Sequence, residues 1–307
     1  MAVAVLSASG AGRGKAQAMT FPVVDTRVTY PDGALQASAT VLHVEDLPGG
    51  RLAVLLDQTS AHPVDAGWPD QVADHATLRV GTVEIALLDC IVGATDGTTL
   101  HLGRDIPAPK GTDGWAFVAV HVVAGDAGIS EGDAVQVTVD AGVRARTSAG
   151  HTACHLASLA LNLAVADRWK KQPRADALGR PDFDGTAIDV SLIGENVSTD
   201  TYRLGKSLRK KGFVTEGLTE ALSALTEAIN ASLADWVETD AAVRVTRDGD
   251  RLTDRRYWEC ALPGQPAVIP CGGTHVQALG ELGRVQVSLS VAEVEGTSVL
   301  TMLTTVG

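Results

Sequence analysis

The stretch His151-Thr-Ala-Cys-His155 begins an apolar run that continues through Leu-Ala-Ser-Leu-Ala-Leu-Asn-Leu-Ala-Val-Ala to residue 166. Leucines recur in this run at two- to four-residue spacing, which favours a helix with one apolar stripe. Residues four apart on a helix lie on one face, with Cβ atoms about 5–6 Å apart. The side chains of His151 and His155 can therefore reach a single ion.

A second pair of metal-ligand residues stands near the C-terminal end, in Cys271-Gly-Gly-Thr-His275. A histidine pair on an apolar helix is also typical of buried structural histidines. Two glycines behind a cysteine are more specific, because they let the backbone fold closely around a thiolate. Imidazole and thiolate together suit zinc. The two motifs predict one zinc site formed by His151, His155, Cys271 and His275, which only folding can bring together.

Outward from these motifs, the chain divides into three parts. Residues 1–19 are rich in Ala, Gly and Ser, which predicts a flexible extension. Residues 20–146 contain short runs of Val, Leu and Thr between Asp-Gly, Gly-Gly and Pro, which predicts strands in a small β-barrel or sandwich. Residues 147–307 combine the helix at His151, a second helix over about residues 215–237 and later strands. The fold class predicted is α+β.

Composition and charge limit the functional classes. The chain has 307 residues and a net charge of −12, which argues against nonspecific nucleic-acid binding over the whole surface. The four cysteines have no paired spacing, and the short apolar start lacks a basic leader, so we expect a cytoplasmic protein without a signal peptide or membrane span. Nothing in the sequence indicates a protein partner or an oligomeric state.

One segment departs from the acidic average. Residues 168–211 hold ten of the 25 lysines and arginines but only six acidic residues. This segment is either a solvated surface or a place where a phosphate backbone docks. The residues predicted to contact a nucleic acid there are Arg168, Lys170, Lys171, Arg174, Lys206, Arg209, Lys210 and Lys211.

The C-terminal motif, with Leu279-Gly-Glu-Leu-Gly283 after it, resembles that of alanyl-tRNA synthetase editing domains. The stretch from His151 to His155 resembles its partner motif. Asp140 and Arg144 stand where free-standing alanyl-tRNA editing proteins carry an Asp and an Arg. The resemblance covers most of residues 20–307.

The resemblance implies an N-terminal β-barrel (20–146) followed by a metal-binding α+β editing domain (147–307) like those of alanyl- and threonyl-tRNA synthetases. It also implies a zinc-dependent enzyme that hydrolyses mischarged tRNA. Gln71 and Asp74 keep two polar positions of the family's Gln-Pro-x-Asp stretch, and Thr59 matches a threonine near the amino-acid pocket. Gln71 and Thr59 are therefore candidates to orient the substrate.

One stretch departs from the family pattern. Where relatives carry consecutive glycines before Gln71, this chain has Trp68-Pro-Asp70. The change indicates either drift in a loop or an altered amino-acid pocket. The substrate is accordingly either seryl- or glycyl-tRNA, or a tRNA that carries a non-standard amino acid such as fluorothreonine.

The sequence leaves the roles of Cys154 and of the metal open. Cys154 is a packing residue, a pocket wall or a reactive thiol, and we include it among the catalytic candidates. Four protein ligands are typical of structural zinc, whereas catalytic zinc keeps an open position. A metal-dependent hydrolase of small esters and a non-catalytic zinc-binding protein are therefore the competing functions.

Overall fold

The computed structural model describes residues 21–307 and shows a mixed fold dominated by strands, as expected for an α+β protein. The predicted extension at residues 1–19 lies outside the described residues. The first part contains β1 (Arg27–Val28), β2 (Gln36–Leu47), β3 (Arg51–Leu56), β4 (Gln58–Thr59), β5 (Ala76–Val80), β6 (Val83–Ala86), β7 (Asp89–Thr95), β8 (Leu100–Leu102), β9 (Ala116–Ala124) and β10 (Ala134–Val139). The second part contains α1 (Ala141–Ala164), α2 (Asp184–Ala187), β11 (Ile188–Gly194), β12 (Val197–Arg203), α3 (Lys206–Lys210), α4 (Leu222–Glu238), β13 (Val243–Arg247), β14 (Arg256–Cys260), β15 (Ala267–Pro270), β16 (Val285–Val294) and β17 (Thr297–Val306).

Eight strands of the first part form one antiparallel sheet in the order β6-β5-β10-β2-β3-β9-β7-β8. The long strand β2 pairs with β10 through its first half and with β3 through its second, and the register shifts between Val41 and His43. Val54 and Val137 pair with residues of β2 on opposite sides of this shift and belong to one buried cluster, so the sheet curves around its core. The predicted closed barrel is not confirmed, because within residues 21–307 the outer strands β6 and β8 do not pair with each other.

The second part packs α1 against the four-stranded sheet β11-β12-β17-β16. The helix can approach closely because residue 150 is glycine. A Cβ placed there would lie 2.4 Å from the carbonyl oxygen of Gly194 and 2.9 Å from that of Val197. A separate sheet, β13-β14-β15, contributes the fully buried Trp258 and leads directly into Cys271.

The helices differ from the predicted ones at their starts. Helix α1 begins at Ala141, where the carboxylate of Asp140 accepts a hydrogen bond of 2.9 Å from the Val143 amide. This cap extends the helix toward its N-terminus, so the expected boundary at residues 146/147 falls inside α1. Helix α4 begins at Leu222 rather than near residue 215, because Gly217 has φ = 69° and interrupts helical geometry.

Across residues 21–307 we find no helix with both the length and the apolar character needed to span a bilayer.

Candidate metal centre and substrate cavity

The two sequence motifs meet at one point of the fold. His151 and His155 lie one turn apart on α1, and Cys271 and His275 lie in the loop after β15. One ligand atom from each of the four residues lies within 4.8 Å of all the others. The Sγ atom of Cys271 is 3.3 Å from Nε2 of His151 and 3.3 Å from Nε2 of His275. Nitrogen and sulfur ligands of a tetrahedral zinc are about 3.3–3.6 Å apart, so these spacings suit that ion.

Hydrogen bonds at the Nδ1 atoms of His151 and His275 orient both rings toward the centre of the four-residue cluster. Nδ1 of His151 lies 2.7 Å from Oε1 of Gln71, an atom that can only accept, so Nδ1 carries the proton. Nδ1 of His275 lies 3.2 Å from the hydroxyl of Thr152, which donates its own proton to the Ser148 carbonyl at 2.8 Å. Both rings therefore present the lone pair of Nε2 to the shared centre.

The protonation of the cluster also fits a metal. Burial lowers the pKa of His155 to about 4, and its Nε2 atom is buried without a hydrogen-bond partner. Burial also lowers the pKa values of His151 and His275 well below the usual value, so all three rings are neutral at pH 7. Burial raises the pKa of Cys271 to about 12, so a metal that binds here would displace the thiol proton. The four residues fit zinc.

Of the two glycines after Cys271, one is sterically required. A Cβ at position 273 would lie 2.3 Å from Cε1 of His151 and 2.4 Å from Oε1 of Gln71. At Gly272 the nearest atom to a Cβ would be a nitrogen of Arg256 at 3.5 Å, an ordinary contact. Gly273 therefore lets the C-terminal loop close over the ring of His151, as the motif indicates.

Gln71 joins the ligand ring of His151 to the C-terminal loop. Besides accepting from His151, its Oε1 accepts from the Thr274 amide at 3.0 Å, and its Nε2 donates to the Thr274 hydroxyl at 3.0 Å. The side chain is 2% exposed. Both polar atoms of the Gln71 side chain are therefore engaged in hydrogen bonds within the protein, and Gln71 holds the ring of His151 in place.

We expect Gln71→Ala to weaken zinc binding by about 10- to 100-fold, the usual effect of removing a partner that orients a ligand. The measurement is competition for zinc against a chromogenic chelator. Gln71→Glu keeps an acceptor for the Nδ1 proton of His151 and should retain most of the affinity. Val72→Ala is the control, because Val72 is the next residue and is 54% exposed. An unchanged zinc affinity in Gln71→Ala would contradict this role.

A cavity of about 830 Å³ opens beside the cluster. His151, His155 and Cys271 form part of its wall, together with Cys154. The thiol of Cys154 donates to a carboxylate oxygen of Asp200 at 3.5 Å, and burial with this negative charge raises its pKa well above the usual value. Cys154 thus lies in the cavity wall with a protonated thiol.

Carboxylates form much of the remaining lining. Burial raises the pKa of Asp184 to about 7, although the Tyr202 hydroxyl donates to it at 2.9 Å. Asp70, which the sequence motifs did not indicate, places Oδ2 3.9 Å from Nε2 of His151. The sequence did contain a signal for Asp70, because this residue directly precedes Gln71 in the stretch that departs from the family pattern.

Thr59 occupies a different environment. It is fully buried, and its hydroxyl lies 2.8 Å from Nε2 of His121 and accepts from the Ala61 amide at 3.0 Å. Within the described part of the chain, the residues that line the cavity do not include Thr59, whereas its neighbour His62 does line it.

The predicted nucleic-acid contacts lie on two adjoining segments. Trp169 pairs with Phe213, and the amide of Lys170 donates to the Gly212 carbonyl at 2.8 Å, so residues 168–171 run beside the end of α3. Seven of the eight cations are exposed, and the half-buried Arg168 donates to backbone carbonyls. Arg174 lies at the cavity wall, so the basic surface is continuous with the cavity.

Sequence comparisons find relatives of this chain among known proteins. The alanyl-tRNA editing protein AlaX-M of Pyrococcus horikoshii is 25% identical over 262 residues, which cover 85% of this chain and 88% of that protein. Alanine–tRNA ligases of Cereibacter sphaeroides and Chlorobaculum tepidum are 26% and 24% identical over 77% and 82% of this chain. These matches cover only 23% and 25% of the two ligases. No protein-family model matches the chain.

Proposed function

We propose that this chain, a homologue of the alanyl-tRNA editing proteins, is a trans-acting deacylase that hydrolyses the ester between an amino acid and the terminal ribose of a mischarged tRNA. The observation that carries the proposal is the His151, His155, Cys271 and His275 cluster beside a large cavity. Homology over most of a free-standing editing protein supports the same reaction.

The chain's own residues have separate tasks in this proposal. The four cluster residues would hold zinc, which supplies a Lewis acid and lowers the pKa of water. Gln71 fixes the ring of His151, and Cys154 contributes a wall that meets the acyl group. Thr59 acts indirectly, by holding the short segment that places His62 in the cavity. Four protein ligands leave open whether zinc is structural or catalytic, and the experiment below separates the two roles.

The tRNA backbone would lie on the basic surface formed by residues 168–174 and 206–211. Lysine and arginine contacts to phosphates release counterions, so binding should weaken steeply as salt concentration rises. Arg174 supports this placement, because its guanidinium pairs with Asp182 at 2.6 Å yet remains largely exposed at the cavity wall. We include a cytoplasmic location in the proposal, since Cys90, Cys154, Cys260 and Cys271 are all free thiols.

Two substrates are consistent with the cavity. The resemblance to alanyl-tRNA editing domains favours seryl- or glycyl-tRNA as the substrate of this chain. Asp70 lies in the cavity wall, within the stretch where the family pattern has consecutive glycines, and this change favours a different acyl group such as fluorothreonine.

A second candidate function is a metal-dependent hydrolase of small cationic esters. It is favoured by the acidic chain and by carboxylates at Asp65, Asp70, Asp184, Asp200 and Asp254 around the cavity. Turnover of simple amino-acid esters that is insensitive to salt would support this function over tRNA deacylation.

The deciding experiment measures deacylation of seryl-, glycyl-, alanyl-, threonyl- and fluorothreonyl-tRNA, with and without a zinc chelator. We expect selective hydrolysis of one member of the panel, lost with chelator and restored by added zinc. Hydrolysis that survives verified zinc removal would assign the metal a structural role. Hydrolysis of none of the five would refute the deacylase and leave the small-ester hydrolase or a non-catalytic zinc protein.

A further inference from the structure

Trp68 is placed unlike the other tryptophans of the described chain. Its side chain is 60% exposed, whereas Trp258 is fully buried and the remaining three are half-buried. Trp68 lies in the wall of the cavity that contains the metal-ligand candidates. An indole buries about 150–250 Å² when it packs, so leaving it in water gives up a large apolar contribution to stability. Its position at the cavity indicates that a ligand covers the ring.

Hydrogen bonds hold this exposed ring in one orientation. The indole Nε1 donates to Oδ2 of Asp70 at 2.9 Å, and the amide of Gln71 donates to Oδ1 of the same carboxylate at 2.7 Å. The Trp68 amide donates to the Asp65 carbonyl at 3.0 Å, and Lys110 pairs with the Asp65 carboxylate. A ring fixed in this way loses little conformational freedom when a flat ligand packs against it.

The surroundings of Trp68 select the chemistry of that ligand. Lys110, Arg255 and Arg256 line the same cavity as Trp68, together with carboxylates that include Asp65, the partner of Lys110, so the cavity offers an aromatic face and cationic side chains. Aromatic rings that stack bases, combined with lysine and arginine, are the usual elements of a single-stranded nucleic-acid site. Asp70 connects this ring to the metal-ligand cluster, because the carboxylate oxygen that accepts from the indole is the one 3.9 Å from His151.

We propose that Trp68 is the stacking platform for the terminal nucleobase of the tRNA, held in place by Asp70. The inference rests on the proposed function and adds a base-binding subsite to it. The terminal base and the esterified hydroxyl belong to the same ribose. A base stacked on Trp68 therefore places the ester toward Asp70 and the cluster rather than toward the outer surface.

The first test uses AMP as the probe and needs no turnover. AMP should quench the tryptophan fluorescence of the wild-type chain, and Trp68→Ala should weaken AMP binding by about ten-fold or more, measured by calorimetry. Trp68→Phe keeps the aromatic face and should restore most of the affinity. Leu88→Ala is the matched control, because Leu88 is 58% exposed but does not line the cavity.

The second test separates stacking from a structural role. With the aminoacyl-tRNA that the panel identifies, Trp68→Ala should raise KM by about ten-fold or more with a smaller change in kcat. Equal AMP affinity in wild type and Trp68→Ala, or no binding of AMP, would overturn the inference while deacylation stands. AMP binding through Trp68 without deacylation would refute the proposed function and leave the nucleobase subsite in place. A wild-type emission that shifts with protein concentration, together with no such shift in Trp68→Ala, would assign Trp68 to contact between copies of the chain and overturn the inference.

Discussion

We expect replacement of His151 or Cys271 by alanine to abolish deacylation and to reduce bound zinc to a trace, while the chain remains folded. Each substitution removes one of four donors whose ligand atoms lie within 4.8 Å of one another. Loss of a ligand should exceed the 10- to 100-fold effect of losing a residue that merely orients one, so we expect activity to fall more than about 100-fold. Zinc content by atomic absorption and initial rates of deacylation provide the two measurements.

The same experiment distinguishes loss of the metal from loss of the fold. Circular dichroism and the thermal midpoint should show that both variants keep their secondary structure. His75→Ala provides a matched control, because His75 is exposed and lies outside the cluster. Cys271→Ser, which replaces the thiolate by a weaker ligand, should also lose zinc. Full activity in both alanine variants would remove the cluster from the mechanism.

The four residues of the cluster could be picked out from the sequence as metal-ligand candidates because both motifs are local and chemically specific. Residues four apart on one helix must share a face, and Gly273 has no room for a Cβ. The ligand chemistry of the two motifs predicted a shared site and the family resemblance implied the same, although no local rule brings α1 to the loop after β15. The structure confirms this convergence in atomic distances.

Several features depend on long-range geometry that a single sequence does not encode locally. The spacing of short apolar runs predicted the strands of the first part. Whether these strands close into a barrel depends on pairing between β6 and β8, which the structure does not show. The motifs did not indicate Asp70. It matters because its carboxylate lies 3.9 Å from His151 in the fold, although the two residues are 81 positions apart in the sequence. Thr59 matched a family position, yet its hydroxyl is bonded to His121 rather than exposed in the cavity.

Breaking the buried ion pair between Asp74 and Arg144 should strongly destabilise the fold. Nε of Arg144 donates to Oδ1 of Asp74 at 2.8 Å, and Nη2 donates to the other carboxylate oxygen and to the Ser60 carbonyl. Both residues are at most 5% exposed. Arg144→Ala leaves the carboxylate of Asp74 buried without its cation, so we expect the free energy of unfolding to fall by about 3–5 kcal/mol.

Urea denaturation of three variants measures this effect. Asp74→Ala should destabilise the chain by a similar amount, and the double variant should lose less than the sum, because each single change leaves one charge unpaired. Arg146→Ala is the control on the same helix. Arg146 pairs with Glu195, but both side chains are about half exposed, so its loss should change stability by less than about 1 kcal/mol.

The same ion pair also connects stability to the metal-ligand cluster. Asp74 accepts from the His62 amide, and Gln71 lies three residues before it. Loss of the pair should therefore loosen the segment that positions His151, and zinc affinity should fall in the Arg144 variant but not in the Arg146 variant. Equal stability of the Arg144 and Arg146 variants would show that the buried pair does not anchor this segment.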